Sequence, residues 1–276
     1  MSEKDGIDIS FVILTWNSKK FAEKCLNSIK SSAKTHQYEV IIIDNGSSDN
    51  TLELANSTLP DAVIILNDRN RGVAPARNQG LAAAKGQYVV ILDIDTYLED
   101  QAINELVDYM DKNERVGICV PRLMYEDGMV QESARRFPTA ITKVLRRVET
   151  KWSKSKLEQG FYNLNQIKEP IKVDYAIGAC QVIRKKALEE VGLLDENIFY
   201  GPEDVDLCLR MWLEGWEVVY YPHSQVVHYE QRITKKKLFS RITFEHIKGL
   251  IYYFIKHRYF FSRKKLYRRI SKSSKI

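Results

Sequence analysis

Asp93-Ile94-Asp95 places two carboxylates one residue apart, directly behind the apolar run Tyr88–Leu92. In an extended chain residues i and i+2 share a face, so both carboxylates point one way while Ile94 turns to the core. Two hard oxygen donors side by side suit Mg2+ or Mn2+ shared with a diphosphate. The same letters also fit a solvated strand end in which Asp95 or Thr96 caps the next helix; the position behind a buried strand favours the ligand reading. A second acidic group, Glu203-Asp204-Val205-Asp206, follows Gly201-Pro202. Pro202 can open a helix, and acidic residues in a first turn are stabilised by the helix dipole whatever their function. Asp195 and the aromatic loop Phe199-Tyr200 crowd the same stretch. A carboxylate fixed at a helix start is pre-oriented for work as a general base. His228 closes the β-like run Gln225-Val226-Val227 and, taken alone, reads more readily as a hydrogen-bonded strand-end histidine than as a metal ligand. His223 is the weaker candidate. Arg135-Arg136-Phe137-Pro138 has the charge to grip phosphate, although a solvated loop is its default reading.

These residues need a frame. Ile9–Leu14, Val40–Ile43, Val63–Leu66, Tyr88–Leu92 and Val116–Val120 are short apolar runs rich in β-branched residues, and they read as buried strands. Helical patterns separate them. One, capped by Ser18, carries the stripe Phe21, Cys25, Leu26, Ile29; another starts near Thr51. A third opens at Pro75 and stops at Gly86, and a fourth shows Ile103, Leu106, Val107, Met110. Strand and helix in alternation predict a mostly parallel, Rossmann-like α/β sheet covered on both faces. Thr15/Asn17, Asp44/Asn45, Asn70/Arg77 and Asp93/Asp95 each follow the carboxyl end of a strand, and in such a sheet those ends share one edge where ligands bind.

With 276 residues, 44% apolar and 28% charged, the chain suits one large domain with an appendage. Neither GxGxxG nor GxxxxGK[ST] occurs, which argues against a dinucleotide dehydrogenase or a P-loop NTPase. Any bound phosphate must then be neutralised by something other than a glycine loop. No apolar run approaches the roughly 20 residues of a membrane span, no signal peptide is visible, and four scattered cysteines read as reduced and cytosolic. The net charge of +6 hides a segregation: residues 233–276 hold fourteen Lys/Arg against Glu245 alone, whereas the preceding 232 hold 28 basic and 35 acidic residues. Such asymmetry points the tail at an anionic surface.

Taken together, the motifs resemble family 2 glycosyltransferases, inverting enzymes of the GT-A fold, over residues 7–230. The matching segments are Val12-Ile-Leu-Thr-Trp-Asn17, Glu39-Val-Ile-Ile-Ile-Asp-Asn-Gly-Ser-Ser-Asp49, Asn70-Arg-Gly-Val-Ala-Pro-Ala-Arg-Asn-Gln-Gly80 and Leu92-Asp-Ile-Asp-Thr96. Gly178-Ala-Cys, Gly192-Leu-Leu-Asp-Glu196, Glu203-Asp-Val-Asp-Leu-Cys208 and Val227-His228 follow in order. The set is most similar to the rhamnosyltransferase-like branch that builds bacterial surface polysaccharides.

The resemblance implies roles for these positions. Thr15 and Asp44 would contact base and ribose, with Asn17 and Asn45 shaping that pocket. Arg77 would lie near base and diphosphate, Asp93 on the ribose or sugar side, and Asp95 and His228 on Mn2+ or Mg2+. Asp204 would be the catalytic base and Glu203 the acceptor holder. The implied donor is dTDP-rhamnose-like or a UDP-hexose, and the acceptor is a glycan or lipid-linked sugar. A nucleotidyltransferase also uses paired aspartates with Mg2+, yet it has no need of Glu203-Asp204 far downstream; a non-catalytic, membrane-docked nucleotide-sugar binder is the other alternative. The expected organisation is a GT-A domain over 1–232, with a donor half at 7–120 and an acceptor half at 121–232. A basic helical tail at 233–276 follows. Residues 139–172 read as a lid or acceptor loop. In the tail Ile247, Leu250, Ile251, Phe254 and Ile255 recur at helical spacing. That pattern predicts an amphipathic helix on an anionic membrane, or one packed on the domain, with nucleic acid the lesser rival. The implied location is cytoplasmic and peripheral, on the inner face of the cell membrane.

Overall fold

The computed structural model describes residues 6–145, 162–230 and 241–273. The first half alternates β1 (Ile9–Thr15), α1 (Lys19–Ser32), β2 (Tyr38–Asp44), α2 (Thr51–Thr58), β3 (Val63–Leu66), α3 (Val73–Ala83) and β4 (Tyr88–Asp93). Next come β5 (Thr96–Leu98), α4 (Ala102–Lys112), β6 (Val116–Met124), β7 (Ala134–Arg135) and α5 (Ala140–Leu145). After residue 161 follow β8 (Ile171–Lys172), β9 (Tyr175–Ala176), β10 (Cys180–Arg184), α6 (Lys185–Val191), α7 (Glu203–Leu213) and β11 (Glu217–His228). Two helices, α8 (Arg241–His257) and α9 (Lys264–Ser273), complete the order.

Nine strands form one mixed sheet in the order β3-β2-β1-β4-β10-β6-β11-β5, with β8 added on β11. β3, β2, β1 and β4 are parallel neighbours, and β6 runs parallel to β11. Between the two blocks β10 lies antiparallel to both β4 and β6. Because both faces of the sheet are covered, alternate residues of one strand enter different cores. Phe11, Ile13 and Ile42 belong to one core with Leu26, Ile29 and Leu106, whereas Val12, Ile41 and Ile43 belong to a second with Leu81, Val205 and Tyr253. Each such side chain contributes about 1.5–3 kcal/mol of burial free energy.

Three details differ from the sequence expectation. Ser18 occupies the N-cap of α1, but its hydroxyl donates to the Trp16 carbonyl rather than capping. The third helix begins at Val73, so Pro75 sits inside the first turn, where its missing N–H costs nothing. Gly86 is not a helix stop, because α3 ends at Ala83; a Cβ there would lie 2.6 Å from the Ser10 nitrogen, so glycine permits close approach to β1. Of the expected lid, residues 146–161 lie outside the described residues, as does the stretch 231–240 between sheet and tail.

The tail pattern divides. On α8, Tyr253, Phe254 and His257 are buried and Leu250 is half-buried, while Ile247, Ile251 and Ile255 are exposed. Helical spacing identified the helix; it did not distinguish two apolar faces. No helix among the described residues is long and apolar enough to cross a membrane.

Candidate active site

The carboxyl ends of β4 and β11 build an acidic corner. β5 pairs antiparallel with β11 so that His228 lies opposite Thr96, and the Tyr229 N–H donates to the Asp95 carbonyl at 2.8 Å. This brings His228 Nε2 to 3.6 Å from Asp95 Oδ1. One donor atom from each of Asp93, Asp95 and His228 lies within 4.8 Å of the others, a set able to hold one metal ion. The imidazole is oriented from behind. Gln131 Nε2 donates to the His228 carbonyl at 2.7 Å and to the Met124 carbonyl at 3.4 Å, so its Oε1 faces His228 Nδ1 at 2.9 Å. With Nδ1 donating to that oxygen, Nε2 would keep its lone pair for a cation. Nothing in the sequence singled out Gln131.

Arg77, buried on α3, joins this corner to the acidic helix start. Its guanidinium pairs with Asp93, donates to the Gly178 carbonyl at 3.0 Å and stands 3.8 Å from Glu203 Oε1. Arg77 also lines the cavity beside Asp93 and Asp95. Gly178 is pinned between partners, because its N–H donates to Asp204 Oδ2 at 3.3 Å and a Cβ on it would sit 2.8 Å from Arg77 Nη1. Asp204 Oδ1 also accepts from the Val205 N–H at 2.7 Å, the N-terminal turn of α7. Burial raises the Asp204 carboxyl above its ordinary value, against the pull of that N–H. Burial, then the neighbouring Asp204 charge, push Glu203 up to about 7, and its Oε2 has no protein partner. Both carboxyls therefore hold a proton more tightly than an exposed carboxylate does.

On the neighbouring strands, Thr15 and Asp44 are register partners between β1 and β2. Thr15 Oγ1 and Asp44 Oδ1 are both buried without a hydrogen-bond partner, the state of groups arranged for a ligand. The two asparagines hold loops. Asn17 Oδ1 accepts from the Ser48 N–H at 2.8 Å. Asn45 is bonded to Asn67, Asn70, Arg71 and Gly72 and holds that loop in place.

A cavity of about 410 Å³ joins Arg77, Asp93, Asp95 and His228 to Glu203 and Asp204. Trp16, Arg135, Lys143, Tyr200 and His246 complete its wall. Arg135 thus lines the site rather than a solvated loop; Arg136 is the exposed one and lies over the Tyr162 ring. His246 comes from α8, so the basic tail supplies part of the cleft. A buried ion cluster fixes it there. Asp206 on α7 is fully buried and accepts from Arg210 Nε at 2.8 Å, Lys256 Nζ at 2.7 Å and His257 Nε2 at 2.7 Å. Lys256 also reaches Asp195 at 2.6 Å.

The family description Glycosyl transferase family 2 matches residues 10–192, about two thirds of the chain. The chain belongs to that family. This glycosyltransferase is 26% identical over 258 residues to the N-acetylglucosaminyl-diphospho-decaprenol L-rhamnosyltransferase of Mycobacterium tuberculosis, covering 89% of this chain and 84% of the relative. It is 26% identical over 220 residues to the poly-beta-1,6-N-acetyl-D-glucosamine synthase of Staphylococcus epidermidis, covering 78% of this chain but only 48% of that synthase. Among solved structures, GalNAc-T7 with UDP, GalNAc and Mn2+ aligns with a TM-score of 0.61 at 20% identity, over 83% of this chain and 44% of that one. S. aureus TarS 1–349 aligns with a TM-score of 0.58 at 16% identity, over 91% and 73%. At these identities the structures show the fold alone, and it is GT-A. Membership in the family removes the nucleotidyltransferase alternative.

Proposed function

We propose that this glycosyltransferase moves a sugar from a nucleoside-diphosphate donor, dTDP-rhamnose-like or a UDP-hexose, to a hydroxyl of a glycan or lipid-linked acceptor in surface polysaccharide synthesis. One observation carries the reading: an Asp-Asp-His cluster and a Glu-Asp pair face the same cavity of about 410 Å³, joined by Arg77. Two carboxylate oxygens and an imidazole nitrogen with its lone pair free fit Mn2+ or Mg2+. Asp93, Asp95 and His228 would hold that ion, which when bound supplies the charge that eases departure of the nucleoside diphosphate.

The chain's own groups do the rest. Thr15 and Asp44 bind the nucleoside end, and exposed Trp16 offers a flat surface beside it. Asp204, ionised, accepts the proton of the acceptor hydroxyl; Glu203 and the loop at Tyr200 hold that hydroxyl in place. The acceptor oxygen bonds to the anomeric carbon as the carbon–oxygen bond to the diphosphate breaks, and the departing oxygen takes the electron pair. A single displacement inverts the configuration. Base catalysis of this kind supplies about 10²–10⁴ in rate. The basic tail would hold the enzyme peripherally on the cytoplasmic face of the membrane, where a lipid-linked acceptor lies.

The test is a donor screen on the purified full chain with Mn2+, reading nucleoside diphosphate release and the anomeric configuration of the product. Acceptor-dependent release with inversion is expected. Donor binding with no turnover on any lipid-linked or glycan acceptor would make the protein a nucleotide-sugar binder and overturn the reading.

A further inference from the structure

The tail helix keeps, among the described residues, a second apolar face that stays exposed. Among the described residues, six of the twelve exposed large apolar side chains fall between residues 244 and 261. Phe244 is 67% exposed, Ile251 54%, Ile255 61% and Phe261 71%, and Ile247 and Phe260 accompany them. On α8 the positions 244, 247, 251 and 255 fall within about a quarter of the helix circumference and form a ridge roughly 16 Å long. Lys248 and Arg258 flank the ridge, and exposed Lys264, Lys265 and Arg268 follow on α9. The opposite face of α8 is immobilised on α7 by the Asp206 cluster and places His246 in the cleft wall.

We infer that this ridge, with the Phe260–Phe261 corner, inserts into an anionic bilayer surface and holds the cleft at the lipid interface. The inference deepens the membrane location proposed above and rests on it. An apolar stripe rimmed by cations lies in the interface plane, gaining from buried area and from anionic headgroups together. A second copy of the chain is the less suitable occupant, since a symmetric pairing would set two strongly basic tails against each other. The geometry also sets an orientation. With the ridge in the headgroup layer, His246 and the cleft wall it belongs to lie on the far side of α8, one helix diameter (roughly 10 Å) from that layer and within reach of a lipid-linked sugar.

The test needs neither donor nor acceptor, so its outcome is separate from that of the donor screen. Full-length protein is floated with phosphatidylcholine vesicles and with vesicles that also contain phosphatidylglycerol. Binding to the anionic vesicles alone is expected, weakening as salt rises. Ile251→Asp with Ile255→Asp should weaken it by about tenfold or more at an unchanged melting temperature, because both side chains face solvent in the unbound fold. An independent measurement uses the burial of all four native cysteines: Ile251→Cys labelled with an environment-sensitive dye should shift to the blue and be quenched by brominated lipid. Equal binding of the parent and the double variant, or a dye that stays in water, overturns the inference. So does a parent that sediments as a dimer which the double variant dissolves, since the ridge would then be an interface between copies.

Discussion

Asp206→Asn is the sharpest probe of how the tail supports catalysis. The carboxylate is fully buried, and burial alone would raise its pKa. The hydrogen bond from His257, the Arg210 charge and the bond from Lys256 outweigh that and hold it well below the ordinary value of 3.8. The amide keeps the shape and removes the charge that opposes Arg210 and Lys256, leaving Lys256 with Asp195 and His257 without its anion. Breaking a buried pair by removing one partner costs about 3–5 kcal/mol. For a chain of this size each kcal/mol shifts Tm by about 2–4 °C, so calorimetry at pH 7 should show a fall of roughly 6–20 °C. The sign with pH follows from linkage. A folded pKa below the unfolded one gives stability that is present above about pH 4 and lost as pH falls through the folded value. Wild type and variant should therefore converge in acid. Lys256→Met alone and combined with Asp206→Asn closes a double-mutant cycle, and the two losses should be far from additive. A Tm change below about 2 °C at pH 7, or strict additivity, would refute the idea that this cluster fastens α8 to α7.

Asp204→Asn should lower turnover by about 10²–10⁴ while donor affinity, read by calorimetry, stays within about twofold. Asp95→Ala should abolish the metal dependence of UDP or dTDP binding, and equal affinity with Mn2+ and with EDTA in the parent protein would count against the metal site. Gln131→Leu removes the group that orients His228, and metal affinity should drop about 10–100-fold with the fold intact. Glu203, held at about 7 against an ordinary 4.5, keeps a proton in the fold that the unfolded chain has released between those pH values. Parent stability should thus decline as pH rises through that window, and Glu203→Gln should flatten the decline in denaturant melts.

The strands of the first half were legible because a sheet buried on both faces needs unbroken apolar runs, and Phe11 to Ile13 or Ile41 to Ile43 admit no polar residue. Asp93 and Asp95 were legible for the same reason: they end such a run. What escaped depends on contacts between distant segments. β5 is three residues long, too short for a period, yet its pairing with β11 is what brings His228 to Asp95. Gln131 lies in a polar stretch with nothing to mark it. The motif Gly178-Ala-Cys was visible as a resemblance, but only the packing of Arg77 and Asp204 on either side of Gly178 gives it a physical cause. In the tail, apolar spacing could not say which residues turn inward, because α8 is apolar on two faces.

Arg77 alters the electrical character of the metal corner. Asp93 is already matched by a buried guanidinium, and His228 is neutral when its Nε2 is free to bind. With Arg77 paired to Asp93, a divalent ion seated there would meet less net negative charge than two unopposed aspartates would give it. An ion seated there would remain an incompletely neutralised centre, positive overall, and would draw in an incoming diphosphate more strongly than a site with both carboxylates unopposed. A chain that lacks any glycine-rich cradle can in this way assemble an anion receptor out of acidic residues, provided one of them is cancelled from behind.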